Sequence, residues 1–426
     1  MVAAIAASRV RPHSVILLEK EARVGRKLLA TGNGRCNLLN MNISSGAYHG
    51  SGSAAALSLL DKMPPEWLLS YFSELGLLCR EESEGRCYPH SGQAASVLDA
   101  LRFSLDRYGV EIRQNAEVQR ICREDDRKTC REELQNADHE KEGFLPRPMP
   151  LPVAREREGF ALHLASSPVI HAKRVVFAAG GKAAPSFGAD GSAFQMMTAL
   201  GHTLIPLRPA LVPLKVPADR IRGLKGIRVH GEAALLIDGR VERTETGEIL
   251  FTEYGLSGIA AMSLSRSAGD ALLRKQQKHR VEICLRLLDR QTAFEEMRKR
   301  LSLFSGETME SVFTGILPKR IGLCLLREVG IAPGETVTEA AVQSVFALCS
   351  EWVLPVTGVL AFQNAQVTAG GLDFGEFHQD MLESKIVPGL YACGEALDVD
   401  GNCGGYNLMW AWVSGITAGE SVIRSL

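Results

Sequence analysis

Val24-Gly-Arg-Lys-Leu-Leu-Ala-Thr-Gly-Asn-Gly-Arg-Cys-Asn37 is the stretch on which the reading of this chain turns. It holds three glycines and three cations and few residues that a core would take in. Glycine permits backbone conformations and close approaches that other residues forbid. The segment therefore reads as a loop laid along a ligand, with Lys27 and Arg35 suited to phosphate and Asn33 and Asn37 suited to hydrogen bonding. An ordinary structural turn is the alternative.

Just upstream, Val15-Ile-Leu-Leu18 is a short apolar run that ends in Glu19, the pattern of a buried parallel strand. Before it, Met1-Val-Ala-Ala-Ile-Ala-Ala-Ser8 lacks a basic n-region and is apolar for only seven residues, too little for a signal sequence. Alanine-rich and uncapped, it reads as the body of a helix. Helix, strand and acid together form the second half of a βαβ dinucleotide unit, whose acid accepts hydrogen bonds from an adenosine ribose. That acid follows the phosphate-binding glycines by roughly 20 residues. Glu19 therefore puts them at, or just before, Met1, and an in-frame strand with Gly-x-Gly-x-x-Gly is expected immediately upstream.

Further along, helices are expected over 54–78, broken at Pro64-Pro65, and over 96–108, with strands at 110–112 and 116–118. Residues 123–158 are charged and then proline-alternating and read as a solvated excursion within a hairpin. Val175-Val-Phe-Ala-Ala179 runs into Gly180-Gly181 as a second buried strand. From 203 to 252, Pro and Gly punctuate short alternating runs, and 290–348 is predominantly helical. Near the C-terminus, strand Gly389–Cys393 leads to Gly394-Glu395. Gly404-Gly405 then opens a last helix from about Asn407. Helix N-termini suit anionic ligands, although a glycine-capped helix packed by Trp410 and Trp412 needs no ligand.

Composition narrows the class. A chain of 426 residues, 46% hydrophobic and 23% charged, buries a large core in two to three units. A net charge of −1 gives no general pull towards nucleic acid or a membrane surface, and no apolar run approaches a membrane span. Ten scattered cysteines read as reduced thiols of a cytoplasmic protein. Between Ala271 and Arg320 there are 11 Lys/Arg against six Asp/Glu. A solvated helical face accounts for that excess as well as an RNA contact does.

Together Leu18-Glu-Lys, the Val24–Asn37 stretch, Val387-Pro-Gly-Leu-Tyr-Ala-Cys-Gly-Glu-Ala-Leu-Asp-Val-Asp-Gly401 and Gly404-Gly-Tyr-Asn-Leu-Met-Trp-Ala-Trp412 resemble the BaiN/RdsA family of FAD-dependent proteins. The resemblance covers nearly all of the chain except 123–158. It implies an α/β fold: a two-dinucleotide-fold-like FAD domain (1–195 and 355–426) interrupted by a β-rich substrate domain (196–289 and 349–354) that carries a helical insertion (290–348). It implies FAD held by Glu19 at the ribose, by Arg26, Lys27, Gly32, Asn33, Arg35 and Asn37 along the cofactor, and by Val118, Ala179, Gly180 and Gly181 on the adenine side. Gly394 and Glu395 would then lie near the pyrophosphate and ribityl, and Asn407 and Leu408 at the isoalloxazine.

The activity implied is reduction of a conjugated C=C, with NAD(P)H as electron donor and a small hydrophobic 3-oxo bile-acid or steroid-type intermediate of the 7α-dehydroxylation pathway as substrate. Three alternatives stand beside it: reduction of uridine in 23S ribosomal RNA to dihydrouridine, an aminoacetone-type amine oxidase, and a flavin-free polypeptide. Hydride addition to an enone calls for a proton donor as well. Cys36, beside an Arg35 that would lower its pKa, is the first candidate, and a packed bystander thiol is the other reading of it.

Overall fold

A computed structural model of the chain describes residues 1–124, 159–166, 168–274 and 279–426. The excursion expected at 123–158 lies outside the described residues but for its first two positions. Two compact units emerge: 1–207 with 369–426, and 208–368.

In the first unit the alanine-rich N-terminus is a helix, Val2–Val10, without a side-chain cap. Ala4, Ile5, Ala6 and Ala7 are buried, and the helix lies along the closing helix Tyr406–Arg424. Small residues set that spacing. A Cβ on Gly419 would stand 2.2 Å from the carbonyl oxygen of Ala3, so any side chain there would force the helices apart.

Strand Ile16–Leu18 pairs in parallel with Glu111–Arg113, Leu17 opposite Ile112. Strand Val175–Phe177 pairs in parallel with Leu390–Ala392, Val176 opposite Tyr391. Parallel pairs joined through helices are the Rossmann-type arrangement, and ligands in such folds lie beyond the carboxyl ends of the strands. Glu19 follows one such end and Cys393-Gly394 another. Between the first two strands run helices Ser53–Lys62, Pro65–Glu74 and Ala94–Arg107. Pro65 starts its helix, where its missing N–H costs nothing. A small antiparallel sheet orders Leu39–Asn40, Arg86–Pro89 and Cys79–Glu81. The strand expected at 116–118 instead begins at Val118 and runs to Arg123.

The second unit is a seven-stranded antiparallel sheet with helices Arg290–Leu303, Lys319–Glu328 and Glu339–Ser350. These helices do not form a core of their own: Ile321, Leu325, Val345 and Phe346 are buried in one cluster with Ile283, Leu285 and Trp352 of the sheet. Two of its strands are long, Arg228–Ile237 and Arg240–Phe251, where short runs broken by glycine were expected. Gly231 and Gly247 face each other across this ladder, so they sit within the sheet and mark no turns. The unit boundaries at 207/208 and 368/369 fall inside strands Leu204–Ala210 and Val367–Leu372, later than the expected 195/196 and 354/355.

Candidate active site

Two walls of the first unit meet at the glycines. The first is the Val24–Asn37 stretch, which is not wholly a loop: Arg26–Ala30 is a short helix opened by Gly25 in the left-handed region at φ 83°. Gly25 has no room for a side chain, since a Cβ would lie 2.4 Å from Leu98 Cδ1. After the helix, Gly32 and Asn33 are both left-handed, at φ 57° and 56°. A Cβ on Gly32 would stand 2.8 Å from the backbone nitrogen of Asn37 and 3.7 Å from Tyr88 Cε1. Gly32, Asn33 and Gly34 are exposed, an open polar rim.

The second wall is the C-terminal block. The Trp410 indole N–H donates to the Gly394 carbonyl at 3.0 Å, and the Gly394 N–H donates to Ser414 Oγ at 2.9 Å. The Trp412 indole N–H reaches across to the Leu38 carbonyl at 2.9 Å and so ties the walls together. Gly405, at φ 105°, opens the closing helix with no side-chain cap. The first N–H groups of such a helix have no intrahelical acceptor and carry the positive end of its dipole.

The walls touch at Gly405. A Cβ there would lie 2.6 Å from Leu39 C and 2.9 Å from Asn37 Oδ1. Asn37 Oδ1 is buried with no hydrogen-bond partner among the described residues. A buried acceptor left unpaired costs about 1–3 kcal/mol, so a ligand donor reaching this atom would remove that cost. FAD fits these residues: an orphaned acceptor, held in place by two glycines packed on its surroundings, and an uncapped helix start lie together.

The expected cations are present but engaged. Lys27 Nζ donates to Glu395 Oε2 at 2.7 Å, joining two residues from opposite ends of the chain. Arg26 pairs with Glu21 and donates to the Ser186 carbonyl at 3.1 Å. Arg35 donates to Glu82 Oε1 at 2.6 Å and lies over the Tyr88 ring, 4.2 Å from its centroid. Each meets a protein carboxylate, where phosphate was expected for Lys27 and Arg35. Glu19 accepts from the Glu21 N–H at 3.0 Å and stands at the strand end, its side chain only half-buried. Val118 lies on its strand, half-buried, and Ala179, Gly180 and Gly181 follow strand Val175–Phe177.

One expectation, that for Cys36, needs correction, while the Asn407 amide is engaged within its own loop: Oδ1 accepts from the Gly401 N–H at 2.8 Å and Nδ2 donates to the Gly401 carbonyl at 2.8 Å. That side chain shapes the loop, and Leu408 beside it is half-buried. Cys36 is fully buried, with φ 58°. Burial pushes its thiol up to about 12, and Arg35, turned to Glu82, does not lower it. Tyr88 was not singled out in the sequence. Its only signal is the in-out alternation of Arg86-Cys87-Tyr88-Pro89, which does not say what the outward face meets.

A cavity of about 280 Å³ elsewhere in this unit is lined by Arg9, Val10, Trp67, Tyr71, Glu74 and Glu420 among others. It contains none of the two walls' glycines and not Asn37. Among the described residues no cluster suits a metal ion, and no helix is long and apolar enough to cross a membrane.

The profile of the HI0933-like protein Rossmann domain matches residues 1–142 and 150–421. A 3-dehydro-bile acid delta(4,6)-reductase of Clostridium scindens is 35% identical over 426 residues, which is 99% of this chain and 96% of the relative. Ribosomal RNA dihydrouridine synthases of Haemophilus influenzae and Escherichia coli are 26% and 27% identical. Each of these alignments covers 96% of this chain, and 93% and 92% of the respective relatives.

Proposed function

This chain belongs to the HI0933-like Rossmann-domain family, and from that premise we propose that it reduces a conjugated C=C in a 3-oxo bile-acid or steroid-type substrate with electrons from NAD(P)H. It is a flavoprotein oxidoreductase of the class that acts on CH–CH bonds. The observation that carries the substrate class is the 35% identity, sustained along 99% of the chain, to a bile-acid delta(4,6)-reductase.

Bound FAD supplies hydride chemistry at an electron-poor carbon. The chain's own contribution is binding and orientation. Glu19, at the end of its strand, accepts from ribose hydroxyls. Asn37 Oδ1 accepts a ligand N–H, which removes the cost of an unpaired buried acceptor. Gly32 and Gly405 let the chain pack tightly on Asn37 and Leu39 and so hold that acceptor in place, and the N–H groups that open Tyr406–Arg424 stabilise negative charge delivered to that end. The Lys27–Glu395 pair bridges the two walls beside the same ligand.

The purified protein is expected to be yellow. A reduced nicotinamide should bleach its visible band without oxygen, and a 3-oxo-4-ene bile acid should restore it. A protein that stays colourless with added FAD would defeat the reading. Salt-sensitive binding to ribosomal RNA, with no steroid reduction, would favour the dihydrouridine reading supported by the 26–27% identical relatives.

A further inference from the structure

Reduction of a conjugated C=C needs two groups delivered: a hydride to the β-carbon and a proton to the α-carbon. Cys36 cannot supply the second, because its thiol is sealed in the core. Three tyrosines stand around the two walls. Tyr48 donates its hydroxyl hydrogen to the Tyr406 carbonyl at 2.9 Å, and Tyr406 donates its own to the Asn42 carbonyl at 2.5 Å. Both protons are committed to the fold.

Tyr88 differs. It is half-buried, its hydroxyl makes no hydrogen bond among the described residues, and that oxygen is not among the sealed polar atoms. Its ring edge faces the Gly32 approach at 3.7 Å from the position of a Cβ there. Its strand partner is Arg80, and Arg35 lies over its ring. Arg35 is itself held by Glu82, which also takes Arg80 at 3.0 Å. A guanidinium fixed over an aromatic face favours negative charge developing on that ring. Burial raises the Tyr88 pKa and keeps the phenol protonated, Arg86 and Arg35 pull it down, and Glu82 and Cys403 push it up, so a half-buried phenol has cations in place to receive the charge left when its proton departs.

We propose that Tyr88 is the proton donor of the C=C reduction. The inference rests on the reductase reading above. Hydride addition at the β-carbon breaks the C=C π bond and leaves an enolate. The enolate's electron pair takes the Tyr88 hydroxyl hydrogen, so a C–H bond forms at the α-carbon as the O–H bond breaks. The phenolate, stabilised by Arg35, then takes a proton from water, and the two electrons come from the reduced flavin, replenished by a reduced nicotinamide. Arg35 is a positioning residue, acting through the ring. A uridine C5=C6 bond would make the same demand on Tyr88, so the assignment does not depend on which conjugated substrate is used.

The test compares wild type with Tyr88→Phe in the FAD-loaded protein. The variant should keep the visible flavin spectrum and the rate of flavin reduction by the nicotinamide. Reoxidation by a 3-oxo-4-ene bile acid should slow on the order of a hundredfold, and the alkaline limb of its pH profile should disappear. Arg35→Met should slow the same step less and shift that limb to higher pH, which loss of a structural contact would not do. As a readout apart from turnover, nitration with tetranitromethane should modify Tyr88, and the bound bile acid should protect it. Wild-type reoxidation and an unchanged pH profile in Tyr88→Phe would overturn the assignment while leaving the reductase reading intact. A wild-type protein whose reduced flavin neither a bile acid nor ribosomal RNA reoxidises would overturn both.

Discussion

The two walls of the site are built by different physics. The C-terminal wall is largely buried, its indoles donating to the Gly394 and Leu38 carbonyls and its serine and asparagine oxygens accepting from the Gly394 and Gly401 N–H groups. The N-terminal wall is half-exposed and held by ion pairs, Lys27 with Glu395 and Arg35 with Glu82. Buried bonds to backbone groups are costly to break, whereas exposed pairs contribute little. The first wall therefore acts as a fixed reference, and the second presents side chains that can adjust to what is bound.

The largest effect is expected where the walls touch. Gly405→Ala puts a methyl 2.6 Å from Leu39 C at φ 105°, a conformation and a space that only glycine accepts. It should cost about 3 kcal/mol or more, lower the melting temperature, and leave the purified protein colourless. Trp412→Phe should come next, because it strips the Leu38 carbonyl of its donor in a buried setting. Chemical denaturation should report a loss of about 1–3 kcal/mol.

Asn37→Leu separates binding from folding. Removing an acceptor that has no partner should leave the flavin-free protein within about 1 kcal/mol of wild type, or more stable. Titration with FAD should show affinity weakened on the order of tenfold, the loss of one buried hydrogen bond. Equal losses in both measurements would mean that the acceptor serves the fold. Lys27→Ala should change stability by less than about 1 kcal/mol, and a larger loss by denaturation would show that the adjustable wall is a structural one. The smallest effect is none. With its thiol pushed up to about 12 by burial, Cys36 should stay unlabelled by a thiol reagent at neutral pH in the native protein, whereas labelling would show that this wall opens to solvent.

The same contrast explains what was legible beforehand. Close approach needs glycine, and glycine is visible in a sequence, so the close contacts of Gly32 and Gly405 with Asn37 and Leu39 fall at positions that the sequence had singled out. The strand end before Glu19 was legible in the same way, from a short apolar run closed by an acid. Partner choice left no such mark. Lys27 and Arg35 looked free for phosphate because Glu395 and Glu82 lie 368 and 47 residues away. Tyr88 became visible only through the pairing of Arg86–Pro89 with its neighbours, which decides the face on which each residue emerges. In the second unit Gly231 and Gly247 misled in the other direction. Opposite each other in a long ladder, they resemble turn residues in sequence and are strand residues in space.

A single turnover without oxygen tests the C=C reduction itself. The FAD-loaded protein, reduced and freed of excess nicotinamide, is mixed with a 3-oxo-4-ene bile acid while the visible flavin band is followed. The oxidised band should return in step with formation of the saturated product. A band that stays bleached with the bile acid, yet returns on admitting air, would contradict it.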